Sequence, residues 1–440
     1  MAKNPLKQIL DIRRDEAPLA VLMFLYFFLV ITTFWILKPL KKGLFIGFYD
    51  QTGFDLGSIH LTGSQAELIA KVLNMGVALV AVMTFTFLVR SFKRQQLTFI
   101  FSGFFVLCFV IYSFLVDAPS SWTVWTFYLF GDLYSTLMVA TFFAFLNDSV
   151  APDAAKRLYG LIGLGGVSGG WFGTEALSLK INDLSLSEWL WVCLGIAAII
   201  GLIAFVAGRL VDGRVAGKEV VEIEAVVEGG NPALEGAKLV FRSSYLLSIV
   251  AIVGLYEMVS TIMDFQFSAT IEHYLDGSAI GVQFVRVYTL TNRVAFFIQL
   301  FLTSFIMTRF GVGVALLFLP AAALMGSVGF LIAPVLLVGS ALNTCDNGFS
   351  YSINQSAKEV LYVPTTRDEK YKAKAFIDMF VQRFAKALAV GLSLLITLVF
   401  AGFQSLRWLS LVTVVILVFW IVAVRYVGKH FGELEEKQAA

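Results

Sequence analysis

Along its 440 residues the chain alternates long apolar runs with short polar breaks. The runs are about 20 residues long, enough to cross a hydrocarbon core about 30 Å thick at a rise of about 1.5 Å per residue. They predict helices near 17–40, 66–90, 97–117, 122–147, 158–180, 187–208, 244–271, 281–308, 311–333, 335–362, 374–401 and 405–427. The expected fold class is therefore an all-α membrane protein with twelve transmembrane helices. An even number of crossings puts both termini on one side.

Basic residues say which side. Lys3, Lys7, Arg13 and Arg14 precede the first span, and Arg90, Lys93 and Arg94 link the second to the third. Lys156 and Arg157 follow the fourth, Arg209, Arg214, Lys218, Lys238 and Arg242 the sixth, and Arg367, Lys370, Lys372 and Lys374 the tenth. The opposite connections, at Asp117, from Glu272 to Gly281 and at Pro334, are almost free of base. By the positive-inside rule both termini are cytoplasmic, in a multi-pass protein of the inner (plasma) membrane.

One long polar connection divides the chain. The expected organisation is an N-terminal six-helix half (1–212), a cytoplasmic connecting loop (213–243), a C-terminal six-helix half (244–430) and a cytoplasmic tail (431–440). Two six-helix halves about a cavity is the major facilitator plan. Intramembrane charges fit it, since an ionised group at the bilayer centre costs at least about 2.5–3.5 kcal/mol and must face a cavity or a partner. The third, sixth, ninth and twelfth spans carry no charge in their cores, as expected of a lipid-facing rim.

Composition narrows the function. Hydrophobic residues make up 58% of the chain and charged residues 15%, against about 45–50% and about 25% in soluble proteins. A soluble enzyme is excluded, and no nucleophile–base set, paired catalytic carboxylates or strand-borne nucleotide loop stands out. Cys108, Cys193 and Cys345, like His60, His273 and His430, form no metal-ligand spacing, so neither metal nor cofactor is expected. The glycines from Gly160 to Gly173 read as close helix packing.

Three constellations carry candidate chemistry. Lys38, Lys41 and Lys42 crowd the far end of the first span, as an anion site or as stems snorkelling to headgroups. Asn343, Asn347, Asn354 and Lys358 recur at spacings that share one helical face, as a cavity lining or an interhelical seam. Glu257 and Asp264 on the seventh span match Arg286 and Arg293 on the eighth, as two ion pairs or as a coupling site.

Ala357-Lys-Glu-Val-Leu-Tyr-Val-Pro364, followed by Lys370, Lys372, Lys374, Asp378 and Arg383, resembles a motif run of the ATP/ADP translocase (nucleotide transport protein) family of intracellular bacteria and plastids. Phe127-Tyr-Leu-Phe-Gly-Asp-Leu-Tyr134 and Ile36-Leu-Lys-Pro-Leu-Lys-Lys42 are similar to two further family stretches. The resemblance implies essential charges at Lys41, Asp132, Glu257 and Lys358. With the polar stripes it sets the expected substrate-binding residues as Lys38, Lys41, Lys42, Asp132, Asn347, Asn354 and Lys358. The expected coupling or gating residues are Glu257, Asp264, Arg286, Arg293, Glu359, Asp378 and Arg383. Asp132 stands where the family has glutamate, and Ser260-Thr261 where it has an aromatic–lysine pair.

The function implied is secondary transport of an organic anion, a nucleotide exchanged as ATP for ADP or carried with protons, by alternating access. Lys41 and Lys358 would clamp the anion from the two halves. The alternatives are another polyanion, such as a polycarboxylate siderophore or metabolite, and a non-transporting membrane protein or enzyme. Expected partners are the small anionic substrate and the lipid bilayer, with no nucleic acid, and the chain is expected to be a monomer.

Overall fold

The structure is a computed structural model that describes residues 16–149, 152–215, 232–366, 369, 373–400 and 402–439. Its helices are α1 (Ala17–Tyr49), α2 (Gly63–Ser91), α3 (Arg94–Leu115), α4 (Ser121–Ser149), α5 (Pro152–Lys180), α6 (Leu186–Val215) and α7 (Pro232–Arg242). They continue as α8 (Ser244–Tyr274), α9 (Ser278–Phe297), α10 (Ser304–Ile332), α11 (Leu336–Phe349), α12 (Gln355–Val360), α13 (Lys374–Phe376), α14 (Gln382–Val399) and α15 (Leu406–Ala439). Wider π turns at Ile298–Thr303, Ser350–Asn354 and Ile377–Val381 join α9 to α10, α11 to α12 and α13 to α14.

Among the described residues nine stretches are long and apolar enough to cross a membrane, where twelve were expected. One of these, Ser278–Ile332, holds the expected eighth and ninth spans as two helices. It bends at Gly311, whose φ of +82° only glycine adopts without strain. The first helix runs nine residues beyond its expected end at 40, to Tyr49. Pro39 lies inside it without ending it.

Two further departures concern connections. The expected loop after the sixth span contains the 11-residue helix α7, whereas its residues 216–231 lie outside the described residues, as do Lys3, Lys7, Arg13, Arg14, Arg367, Lys370 and Lys372. Between α1 and α2 the chain forms a small hairpin, β1 (Phe54–Leu56) against β2 (Ile59–Leu61), with Leu56 opposite Ile59. Gly57 at its two-residue turn has φ +64°, as a tight hairpin turn demands. At the end of β2 the N-terminus of α2 presents free N–H groups, and Glu272 at the end of α8 accepts from Gly63 N and Ser64 N at 2.5 and 2.9 Å. A carboxylate there meets the positive end of the helix dipole.

The surface is apolar in helical stripes. On α15, Leu411, Val415, Val418 and Val422 are all exposed at spacings of four, three and four, and Leu107, Ile111 and Phe114 repeat the pattern on α3. Such stripes face lipid chains in a membrane protein, where a soluble protein would bury them. Exposed Trp122, Trp191 and Trp408 sit within the first turns of their helices, where indole rings partition to the headgroup region.

Contacts divide the chain into two compact units. The first takes Met1–Thr52, Leu73–Ile223 and Gly277–Asn292; the second takes Gly53–Val72, Glu224–Asp276 and Arg293–Ala440. Each has its own apolar core. In the first, Tyr26, Phe105, Phe109, Phe127, Tyr134 and Phe142 are fully buried. There the glycines of α5 seat it directly on the backbone of α1. A Cβ at Gly169 would come within 2.3 Å of Phe28 O, and one at Gly173 within 2.6 Å of Thr32 O. Thr32 Oγ1 donates to Gly169 O at 3.1 Å across the same crossing. This is the small-residue packing expected of that stretch.

Candidate functional site

In the first unit, α1 carries its three lysines well inside the helix, seven to eleven residues before its end. Lys41 and Lys42 are only 4% and 3% exposed. Snorkelling to headgroups is therefore excluded for both. Lys41 Nζ forms an ion pair with Asp132 of α4, and its ammonium lies 4.3 Å above the Tyr128 ring, one turn earlier on α4. Gly131 makes this possible, because a Cβ there would fall 2.7 Å from Lys41 Cδ. Asn74 Nδ2 donates to the other Asp132 oxygen at 2.8 Å, so the carboxylate is held from two sides.

The neighbouring lysines rest on aromatic rings. Lys38 Nζ is 4.5 Å from the Trp35 ring and 4.9 Å from that of Tyr288, and Lys42 Nζ is 5.2 Å from that of Phe284. Ring faces attract cations at these distances. Tyr288 and Phe284 belong to α9, which approaches α1 closely at the Gly43–Gly281 crossing. Three ammonium groups are thus gathered in one apolar, aromatic-lined region.

In the second unit the charges are arranged differently. Asp264 of α8 binds Lys71 of α2 at 2.5 Å, and Glu67, fully buried, lies 3.6 Å from the same lysine. Asn343 Nδ2 reaches Asp264 Oδ1 at 3.3 Å. Glu257 lies 3.8 Å from Lys386 of α14. These lysines are partners that the spacing match with Arg286 and Arg293 did not name. Arg286 and Arg293 are both exposed, and they fall in different units.

The polar stripe of the tenth span is not one continuous row. The π turn at Ser350–Asn354 interrupts the 3.6-residue register between Asn347 and Lys358. Asn347 Nδ2 donates to Asn343 O at 3.1 Å within its own helix. Asn354 is 1% exposed, and neither amide atom has a hydrogen-bond partner. Leaving such an amide unpaired costs about 1–3 kcal/mol. One turn on, Lys358 is half-buried with its Nζ 5.2 Å from the Tyr256 ring. Among the described residues no carboxylate pairs with it.

Around Tyr256 other groups converge. Its hydroxyl bonds Ser350 Oγ, and its ring centroid lies 5.8 Å from that of Trp420. Ser260, where the family pattern would place a residue of its aromatic–lysine pair, donates to the buried Asp346 at 2.6 Å. Glu359 is exposed and pairs with Lys374. Lys374, expected only as one of the basic charges after the tenth span, is thus also an ion-pair member. Asp378 is exposed and accepts from Gln382 Nε2 at 3.2 Å, and Arg383 is half-buried on α14.

Several functional candidates were not singled out from sequence. Asn74 and Tyr128 complete the Lys41–Asp132 pair, and Lys71 with Glu67 holds Asp264. A signal did exist for most of them. Glu67, Lys71 and Asn74 share one face of α2 at spacings of four and three, and Tyr128 lies four residues before Asp132.

Residues 114–336 and 331–431 match the family model described as TLC ATP/ADP transporter. ADP,ATP carrier protein 3 of Rickettsia bellii is 21% identical over 97% of this chain and 97% of its own length. ADP,ATP carrier protein 1 of Chlamydia pneumoniae is 22% identical over 74% of this chain and 71% of its own. The chloroplastic ADP,ATP carrier protein 1 of Arabidopsis thaliana is 21% identical over 72% of this chain, which spans only 55% of that relative's length. Among solved structures, the nucleoside transporter NupG matches with a TM-score of 0.65 at 13% identity, covering 93% of this chain and 99% of its own. A bacterial homologue of the human lysosomal transporter Spinster matches at a TM-score of 0.51 and 14% identity, over 95% of this chain and 98% of its own. The fold is that of the major facilitator transporters.

Proposed function

We propose that this chain, which belongs to the TLC ATP/ADP transporter family, is a secondary transporter that exchanges adenine nucleotides across a membrane by alternating access. Lys358 carries the reading. It is a half-buried ammonium with an aromatic ring beneath it and no carboxylate partner among the described residues. Glu257, Asp378 and Glu359 act on it from beyond ion-pair distance, so an ammonium that no carboxylate contacts directly is held ready for an anionic ligand. In the relatives' names the substrate is ADP and ATP, which favours a nucleotide over a polycarboxylate.

Lys41 plays a related part with a resident acid. A phosphate oxygen approaching its ammonium competes with Asp132, and Asn74 holds the carboxylate as it is displaced. The exchange replaces one charge-assisted contact by another, so ligand binding leaves no ammonium uncompensated. Glu257, only weakly paired, serves as the coupling acid, with Asp264, Arg286, Arg293, Glu359, Asp378 and Arg383 as the further coupling or gating set. Lys38, Lys42 and Asn347 complete the substrate-binding set. The protein works as a monomer in the inner (plasma) membrane, with both termini cytoplasmic.

Uptake of labelled ATP into proteoliposomes tests this, with ADP, ATP or a tricarboxylate inside and with or without a proton gradient. Uptake driven by internal ADP is the expected result. Failure of ATP to enter under every condition would overturn the proposal. Lys358→Gln should weaken ATP binding by about 1.5–3 kcal/mol, the range of a hydrogen bond to a charged group. A cytoplasm-dependent reporter should be active after Ala440 and silent at Gly277; the reverse pattern would refute the orientation.

A further inference from the structure

Asn354 closes the π turn Ser350–Asn354, and both of its amide atoms are buried without a partner. Buried polar side chains almost always find hydrogen bonds, so an exception calls for a cause. Stability is not the cause, because an apolar residue of similar size would avoid the desolvation. Its neighbours locate it. Ser350, four residues earlier, bonds the Tyr256 hydroxyl, and Lys358, four residues later, lies over the Tyr256 ring. Residues four apart share a helical face, so Asn354 stands between a hydroxyl and an ammonium on the face turned to Tyr256. Single π turns inside α-helices are frequent at functional sites.

We propose that Asn354 is a specificity-determining residue whose amide reads the edge of the substrate's adenine base. The amide offers one donor and one acceptor side by side. Adenine presents the complement, a ring-nitrogen acceptor next to an exocyclic amine donor, and guanine presents two acceptors on the corresponding edge. Guanine would leave the amide carbonyl facing a carbonyl. With Lys358 one turn away, the base end and the phosphate end of one nucleotide lie along a single helical face. The amide is covered in this structure, so the base meets it in another state of the transport cycle. This inference rests on the nucleotide reading above.

The test is ATP exchange in proteoliposomes, competed by ATP, ADP, GTP and ITP, for the wild type, Asn354→Leu and Asn354→Asp, with thermal unfolding of each in detergent. The wild type should prefer ATP to GTP at least tenfold. Asn354→Leu should erase that preference, a change of about 1.4 kcal/mol per factor of ten, with an unchanged or raised unfolding temperature. The stabilisation that added ATP confers should shrink with it. Asn354→Asp, of equal size, carries the same test if the leucine variant does not fold, since it replaces the amide donor by a charged acceptor that cannot donate to the base. A retained ATP/GTP ratio in the variants overturns the inference, and so does a loss of stability in step with the loss of exchange. If the wild type exchanges no nucleotide at all, the functional reading has failed, a result distinct from either.

Discussion

In the first unit Lys41 is buried against its own acid, on helices that the described residues show as regular α from end to end. In the second, Lys358 is half-buried against a tyrosine ring, on a helix that widens into a π turn one residue before α12 begins. All three described π turns belong to the second unit. The first unit is seated by glycines in backbone contact, and its buried Lys41 is matched to an acid. The second leaves Asn354 unpaired and holds Glu257 only loosely to Lys386. A matched buried pair favours one arrangement, whereas unmatched groups are free to answer a ligand. The difference teaches that cations equally out of place in a membrane can serve different ends.

The sharpest way to break this contrast is to remove each lysine's charge. Lys41→Met should cost about 1–3 kcal/mol of stability, because it strands the half-buried Asp132 with only Asn74 to hold it. Adding Asp132→Leu should restore most of the fold and none of the transport. Lys358→Met should change stability by less than about 0.5 kcal/mol while abolishing uptake, since it breaks no direct ion pair and Glu257 and Glu359 keep Lys386 and Lys374 as partners. Thermal unfolding in detergent beside ATP uptake measures both. If the two single variants are equally destabilised, the units do not differ in the way described.

Packing gives a second contrast. Gly169→Ala places a methyl within 2.3 Å of Phe28 O and should cost about 1–3 kcal/mol by forcing α5 off α1. Gly391→Ala on α14 meets nothing within 4 Å and should gain about 0.5–1 kcal/mol from helix propensity alone. Unfolding midpoints of equal sign would contradict the difference in closeness.

The smallest stability effect should come from the Glu257–Lys386 pair, where Lys386 is 43% exposed. Removing a partly solvated pair costs about 0–1 kcal/mol. Glu257→Gln should therefore stay folded and keep nucleotide exchange, yet lose accumulation driven by a proton gradient. Recovery of gradient-driven accumulation in a Glu257→Gln, Lys386→Gln double variant would show that Glu257 is only a structural partner.

Much of the candidate site was legible before any coordinates. Lys41, Asp132, Glu257 and Lys358 stood out because charges in apolar runs are costly and these matched a motif run. Their partners were harder to read. Lys41 finds Asp132 across a separation of 91 and Asp264 finds Lys71 across one of 193, and a spacing rule within one helix is blind to both. The spacing match set Glu257 and Asp264 beside two arginines seven apart, and the helices also bring Lys386 and Lys71 to them, partners no spacing within one helix names. The stripe from Asn343 to Lys358 assumed 3.6 residues per turn, and the π turn breaks that assumption where the two ends should have aligned.

Apolar run length and glycine spacing were enough to determine an all-α membrane protein and the close contact of α5. Those features depend on each residue's exchange between water and lipid, which is a local property. The end of α1 at Tyr49, the helix α7, the bend at Gly311 and the isolation of Asn354 were decided only by tertiary structure. A lysine can continue a buried helix only if an acid or a ring on another helix receives its charge, and an amide is stranded only when its neighbours in space offer nothing to bond. Both conditions are set by packing between distant segments.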